Sequence, residues 1–115
     1  MNKATDPHAL MENALADTLG RECLLDDETR ALYATDVYGA GVMPAVVVRP
    51  GSQEKVAEAV RIATAAGWAV TQRGGGMSYT GGYLPTQTNT VMLDLSALNR
   101  IISINEEDLV ITVEA

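Results

Sequence analysis

The sequence predicts an α+β fold of α/β-like character: N-terminal helices, then a βαβ unit with parallel strands, then a C-terminal antiparallel hairpin. Two segments, 7–20 and 52–66, have apolar side chains at helical spacing. Short β-branched runs start at residues 45, 69 and 90, and two further apolar runs bracket a polar turn near the C-terminus. At 115 residues the chain holds one ordinary globular domain at most, so a complete multi-domain enzyme is excluded.

The first predicted element is a short amphipathic helix. Asp6 is a candidate N-cap before Pro7, and Gly20 is a candidate stop signal. A second acidic segment, Asp26 to Ala31, is typical of a helical turn, and the irregular loop TDVYGAG follows it. We therefore expect residues 1–40 to form a helical lead-in.

The βαβ unit begins with AVVVRP, whose unbroken apolar run indicates a buried strand that ends at Pro50. Ser52 caps the following helix, and Gly67 lies just past its end. The next strand, AVTQR, ends at Arg73. A right-handed crossover makes the two strands parallel, and open α/β sheets bind ligands at the carboxyl ends of such strands.

A third strand is predicted in TVMLDLS, and the runs ISI and LVITVE around residues 105–108 predict the hairpin. No turn or polar tail follows the last apolar run. We therefore expect the domain to continue past Ala115.

The charge distribution excludes some partners. The net charge is −7, and nucleic-acid binding depends on clustered Lys and Arg, so no nucleic-acid partner is expected. Residues 37–104 nevertheless hold five bases and three acids, which would accommodate a small anion. The chain has neither an apolar run long enough for a transmembrane segment nor a secretory signal, and we expect a cytoplasmic location.

The glycine-rich segment RGGGMSYTGG, residues 73–82 and here called the glycine loop, is the one motif that carries chemistry. Half of the ten glycines lie in it. Successive amides without Cβ atoms can form a concave nest for an anion, most often phosphate. Ser78 and Thr80 would add hydroxyl donors, and Arg73 would add charge. On composition alone, a mobile surface loop is the alternative.

Three familiar motifs do not fit the glycine loop. The dinucleotide fingerprint needs glycine where Tyr79 stands, and the P-loop needs a lysine where Gly82 stands. The nucleophile elbow would need glycine in place of Thr80, and the only histidine, His8, is far upstream. Ser78 is therefore expected to be a hydrogen-bond donor and not a nucleophile.

Four motifs in order carry a resemblance to a known family: PAVVVRPGSQEKVAEAVRIATAAG, WAVTQRGGGMSYTGG, VMLDLSALNRI and EEDLVITVEA. They resemble the N-terminal half of the FAD-binding domain of FAD-linked oxidases of the vanillyl-alcohol-oxidase type. The likeness is greatest to the glycolate oxidase and D-lactate dehydrogenase branch, and it covers roughly residues 22–115. Residues 41–115 would then be the first subdomain of an FAD-binding domain.

The resemblance implies that the glycine loop binds the pyrophosphate of FAD through its backbone amides. The implied cofactor-binding residues are Arg73, Gly74, Gly75, Gly76, Met77, Ser78, Gly81 and Gly82. Relatives that attach FAD covalently through this loop have histidine at the position of Met77, so we expect FAD that is not linked through residue 77. The walls for the flavin ring and the substrate are expected outside this chain, and no catalytic residue is assigned within it.

By the same resemblance, the full-length protein would oxidise a 2-hydroxy acid such as D-lactate or glycolate, or a similar alcohol, by hydride transfer to FAD. Attachment to a membrane surface is left open for that protein. These 115 residues alone are expected to be inactive and to self-associate through an unpaired apolar edge. The alternative is a non-catalytic module that binds a nucleotide or a partner chain.

The remaining polar and aromatic residues are given structural roles. Cys23, the single cysteine, is expected to be half-buried and inert, and no metal site is predicted. Trp68 is expected in the core and His8 in solvent. Asp94 is expected to cap the turn at Ser96. Packing or capping roles are expected for three residues of the lead-in: Tyr33, Asp36 and Tyr38.

Overall fold

The computed structural model describes residues 6–37 and 39–114, and its elements follow the predicted order. The three helices are α1 (Pro7–Leu19), α2 (Asp27–Leu32) and α3 (Gln53–Ala65), with a 3₁₀ turn at Arg21–Cys23. The five strands are β1 (Val46–Val48), β2 (Ala69–Arg73), β3 (Thr90–Asp94), β4 (Ile101–Asn105) and β5 (Val110–Val113). The predicted α+β class is confirmed.

The three central strands form one parallel sheet in the order β1-β3-β2. Val47 pairs with Met92, and Thr71 pairs with the same residue from the other side. The two strands of the βαβ unit are therefore parallel but not neighbours, because β3 lies between them. All three carboxyl ends meet at one edge of the sheet.

The predicted helix caps are present. The Asp6 carboxylate accepts a hydrogen bond from the His8 amide, and Gly20 ends α1 at φ 100°, where a side chain would be strained. The Asp26 side chain caps α2 through the amide of Thr29. The Ser52 hydroxyl caps α3 through the amide of Lys55.

Alternation along the strands gives the sheet two buried faces. One face packs against α1 and α3, and its largest members are Met11, Leu15, Leu19, Val46, Val48, Trp68, Val91 and Leu93. The other face is smaller and lies beside the glycine loop; it consists of Val47, Met92, Tyr33 and Tyr83. The lead-in therefore contributes to the core on both sides of the sheet.

The hairpin β4–β5 is antiparallel, as predicted, but its strands do not pack into this core. All of its strand residues are exposed. The radius of gyration is 15.6 Å, above the roughly 13 Å of a compact chain of this length. The molecule measures 62 × 33 × 24 Å along its principal axes.

Two expectations about single residues are wrong. Cys23 is buried and not half-buried, because its thiol donates to the Leu19 carbonyl at 3.3 Å within the first core face. His8 is not simply solvated, because its ring lies edge-on to Trp68 at 5.4 Å and Nε2 is 3.0 Å from Asn89 Oδ1. Trp68 is in the core, as expected. Tyr38 and Ala115 lie outside the described residues.

Candidate functional site

Charged side chains follow or end each of the three parallel strands at the carboxyl edge of the sheet. Arg49 comes directly after β1, Arg73 ends β2, and Asp94 ends β3. The register places Arg73 opposite Asp94. The edge predicted to bind a ligand is therefore the charged edge of an otherwise apolar sheet.

Asp94 is the centre of a buried hydrogen-bond network. It is 1% exposed, and its Oδ2 accepts a hydrogen bond from the Tyr33 hydroxyl. Arg49 reaches the same oxygen with Nε at 2.9 Å and Nη2 at 2.9 Å. The Ser96 amide donates to Oδ1 at 2.9 Å, which is the predicted turn cap. The network ties α2 and the ends of β1 and β3 together.

The protonation states of this network follow from its contacts. Burial raises the pKa of the Asp94 carboxyl, but hydrogen bonds from Tyr33, Ser96 and Arg49 outweigh it and hold the pKa below its usual value. Burial and the hydrogen bond to Asp94 raise the pKa of Tyr33. At neutral pH, Asp94 is therefore an anion and Tyr33 a neutral donor.

Arg73 is held by aromatic rings. Its guanidinium carbon lies 4.8 Å from the ring centroid of Tyr33 and 5.6 Å from that of Tyr83. Within residues 6–37 and 39–114, no carboxylate forms an ion pair with it, and its buried Nε has no hydrogen-bond partner. A partly buried cation without a counter-ion is costly, so this position favours an anionic ligand.

Two kinds of glycine occupy the first half of the glycine loop. Gly76 has φ 77°, and the Arg73 guanidinium lies where its Cβ would be, so the fold itself requires glycine there. Gly74 and Gly75 lack a positive φ, and a Cβ on either would meet no atom within 4 Å. The described structure gives no reason for glycine at 74 and 75, whereas close approach of a ligand to the backbone would.

The backbone amides in the two halves of the glycine loop also differ in their hydrogen bonds. The Gly81 amide donates to Asp36 Oδ2 at 3.0 Å, and the Gly82 amide donates to the Ser78 hydroxyl oxygen at 3.2 Å. No described residue accepts a hydrogen bond from the amides of residues 74–77. Within the part of the chain that the structure describes, the amides of the first half of the loop therefore have no acceptor, whereas the Gly81 and Gly82 amides are bonded within the protein.

The eight predicted site residues lie in one loop, but the surroundings differ from one residue to the next. Arg73 lies beneath the loop at Gly76, and the Met77 side chain is 73% exposed. Sequence reasoning assigned no site role to four residues that build the site: Tyr33, Asp36, Arg49 and Tyr83. An acid inside the apolar run VMLDL was the one signal, since a buried carboxylate requires partners.

None of the described helices has the length and apolarity needed to cross a membrane. No cluster of three or more His, Cys, Asp or Glu side chains suited to a metal ion was found in the same part of the chain.

Among the described residues, an arginine without an ion pair and loop amides without acceptors lie at the carboxyl edge of a parallel sheet, an arrangement typical of α/β-like folds that bind phosphate groups. Comparisons with known proteins identify the family to which this fold belongs. A family model described as an FAD binding domain matches residues 44–115. The chain belongs to this family, the FAD-binding domains of flavin-dependent oxidases, and FAD is its cofactor.

Individual known proteins are also similar to this chain. Reticuline oxidase from Papaver somniferum is 38% identical over 58 residues, which is 50% of this chain and 11% of that protein. The 4-ethylphenol oxidase from Gulosibacter chungangensis, solved with isoeugenol, superimposes with a TM-score of 0.70 at 32% identity, over 90% of this chain and 21% of that one. Alkyldihydroxyacetonephosphate synthase, at 19% identity and a TM-score of 0.78 over 90% of this chain and 23% of that one, shows the same fold.

The residues present fit an FAD pyrophosphate. The buried Nε of Arg73 lacks a partner, the first glycines leave open space, and amide and guanidinium donors suit phosphate oxygens. The chain spans only 11% of the length of the curated relatives and about a fifth of the solved structures.

Proposed function

We propose that the glycine loop holds the FAD pyrophosphate within a flavin-dependent oxidoreductase. The open amides of residues 74–77 would donate to phosphate oxygens, and the Arg73 guanidinium would neutralise part of their charge. The Ser78 hydroxyl, which accepts from the Gly82 amide, keeps its own proton to donate. When bound, FAD supplies the redox chemistry by accepting a hydride from the substrate carbon.

The pair Gly74 and Gly75 carries this proposal. Glycine costs conformational entropy, and an alanine that fits the native backbone stabilises a fold by about 0.4–1 kcal/mol. Neither position needs glycine for its backbone angle or its internal packing. A ligand that approaches the main chain accounts for both.

Gly75→Val tests the proposal in the full-length protein that contains this chain, purified with its flavin. The branched side chain would fill the space that the phosphate needs, so we expect flavin content and FAD affinity to fall at least 10-fold, with no loss in thermal stability of the flavin-free protein. Gly51→Val is the matched control, because a Cβ at this exposed glycine also meets no atom within 4 Å. Unchanged flavin content in Gly75→Val would refute the loop assignment.

The substrate remains part of the proposal. We propose a 2-hydroxy acid or a similar alcohol, on the resemblance of the four sequence motifs to that branch of the family. An alkylphenol is the second candidate, because the 4-ethylphenol oxidase is 32% identical over 90% of this chain. Turnover of D-lactate, glycolate and 4-ethylphenol by the full-length flavoprotein, measured side by side with a dye acceptor, discriminates between them.

A non-catalytic module that retains only the fold is the rival function. A yellow full-length protein with flavin absorbance, which releases FAD on acid treatment, supports the oxidoreductase. A colourless protein that takes up no added FAD supports the rival.

A further inference from the structure

We infer that Asp36, in the lead-in, is a positioning residue that clamps the second half of the glycine loop and so leaves the first half free for the cofactor. This rests on the proposed function. Asp36 lies outside the segment that the family model matches, which begins at residue 44. Its carboxylate nevertheless makes a direct hydrogen bond to the loop.

The two carboxylate oxygens of Asp36 join two separate loops. Oδ1 accepts from the Gly39 amide at 2.8 Å, and Oδ2 accepts from the Gly81 amide at 3.0 Å. The Asp36 amide in turn donates to the Gly39 carbonyl at 2.9 Å, so two hydrogen bonds join Asp36 to Gly39. The carboxylate therefore has a fixed direction before it meets the glycine loop.

Gly81, the residue that Asp36 contacts, lies at a turn of the loop. Its φ of 67° is in the left-handed region that favours glycine, and its carbonyl accepts from the Leu84 amide at 3.0 Å. The Tyr83 hydroxyl next to this turn donates to Thr35 in the lead-in and lies 3.2 Å from the Gly76 carbonyl. The lead-in thus contacts the segment 76–83 at Gly81 and at Tyr83, and the Tyr83 hydroxyl in turn lies near the Gly76 carbonyl.

The clamp assigns different roles to glycines that the sequence grouped together. A carboxylate bonded to an amide occupies the donor that a phosphate would use, and like charges repel. Gly81 and Gly82 are therefore positioning residues, and the pyrophosphate lies against residues 74–77. Two roles for Asp36 predict opposite effects on FAD affinity. A clamp strengthens FAD binding, whereas a competitor for the Gly81 amide weakens it.

Asp36→Asn and Asp36→Ala separate these roles in the full-length protein. Asparagine has the same shape but only one acceptor oxygen, so we expect about 5- to 10-fold weaker FAD binding, and a larger loss for alanine, which has none. The order wild type, Asp36→Asn, Asp36→Ala in FAD affinity supports the clamp. The matched control is Asp27→Asn, because that lead-in side chain is 92% exposed.

A second readout does not depend on the flavin. In the flavin-free protein, hydrogen exchange at the Gly81 amide should be faster in both Asp36 variants and unchanged in Asp27→Asn. Equal or tighter FAD binding in Asp36→Asn, or unchanged Gly81 exchange, would overturn the clamp. If Gly75→Val alone fails to lower flavin content, the proposed function falls instead, so the two failures are distinguishable.

Discussion

At the scale of single residues, the carboxyl edge is organised by one buried anion. Asp94 accepts hydrogen bonds from both Tyr33 and Arg49 on one carboxylate oxygen, and the Tyr33 ring in turn contacts Arg73. The charge that stabilises the sheet edge and the charge that would meet the cofactor are therefore connected through one tyrosine.

Asp94→Asn should destabilise the fold in a pH-dependent way. Removing one partner of a buried ion pair costs roughly 3–5 kcal/mol, but the Arg49 side chain is 43% exposed and water can solvate its charge, so we expect about 2 kcal/mol at pH 7. Because the folded-state pKa of Asp94 is lowered, its contribution is present above about pH 4 and is lost as pH falls further. Urea unfolding at pH 7 and pH 3 checks this. An equal deficit at both pH values would contradict it.

Flavin should not be attached to Met77. Its thioether sulfur has no proton to lose, and its side chain extends into solvent. Acid denaturation of the full-length flavoprotein should release FAD to the supernatant, as measured by absorbance. A proteolytic peptide that carries both Met77 and flavin absorbance would show the opposite; a link at another residue would not bear on this prediction.

Single residues also show which parts of the site could be predicted from the sequence and which could not. Arg73 and the loop glycines could be identified because composition concentrates them in ten positions. The sequence separates Tyr33, Asp36 and Arg49 from these by more than twenty residues, and only the folded sheet edge brings them to the loop. Glycine composition likewise could not divide Gly75 from Gly81, because the difference is in the bonding of the amide.

At the scale of elements, the hairpin is amphipathic, and the described residues do not bury its apolar side. Ile104 pairs with Ile111, and Ile101 pairs with Val113, so these four side chains share one face. Ser103, Asn105 and Thr112 lie on the other face. All four apolar side chains are more than half exposed. Two apolar runs on either side of a polar turn predicted the strands, but they could not show that the described body of the molecule leaves this face uncovered.

We expect these 115 residues to self-associate through the hairpin, by its unpaired strand edges together with its apolar face. A two-stranded sheet is marginal in water, and both of its edges can pair with a second copy. Light scattering at rising concentration should show a mass above 12.2 kDa. Ile111→Thr should reduce the association more than Val110→Thr, which changes the polar face. A constant monomer mass, or equal effects of the two variants, would contradict the prediction.

At the scale of the whole molecule, the helices and sheet follow from local sequence signals, and the strand order does not. Caps, glycine stops and apolar runs located every helix and strand. A run of valines does not indicate which strand will pair with it. The position of β3 between β1 and β2 was therefore seen only in the structure. The boundary at residue 40 between lead-in and FAD-binding domain stays a prediction.

These 115 residues alone should not oxidise a substrate. They correspond to 21% of the 4-ethylphenol oxidase chain and offer no enclosed site for a flavin ring and a substrate within the described residues. Orientation and exclusion of water would both be missing. With added FAD, D-lactate, glycolate or 4-ethylphenol and a dye acceptor, we expect the rate of a no-protein blank. A rate above that blank, in preparations of independent origin, would refute the prediction.

The central position of β3 also sets the order in which the chain can fold. β1 and β2 share no ladder of hydrogen bonds with each other, so neither gains its parallel neighbour until β3, which ends at residue 94, has been synthesised. About 45 residues separate the ends of β1 and β3, which is roughly 2–9 s of synthesis. During that interval β1 has the helices and the bridge between Leu24 and Val48 as partners, but no parallel neighbour, and non-local parallel pairing is slow even afterwards. We therefore expect part of the apolar surface of β1 to stay exposed during synthesis, when chaperone binding would compete with aggregation.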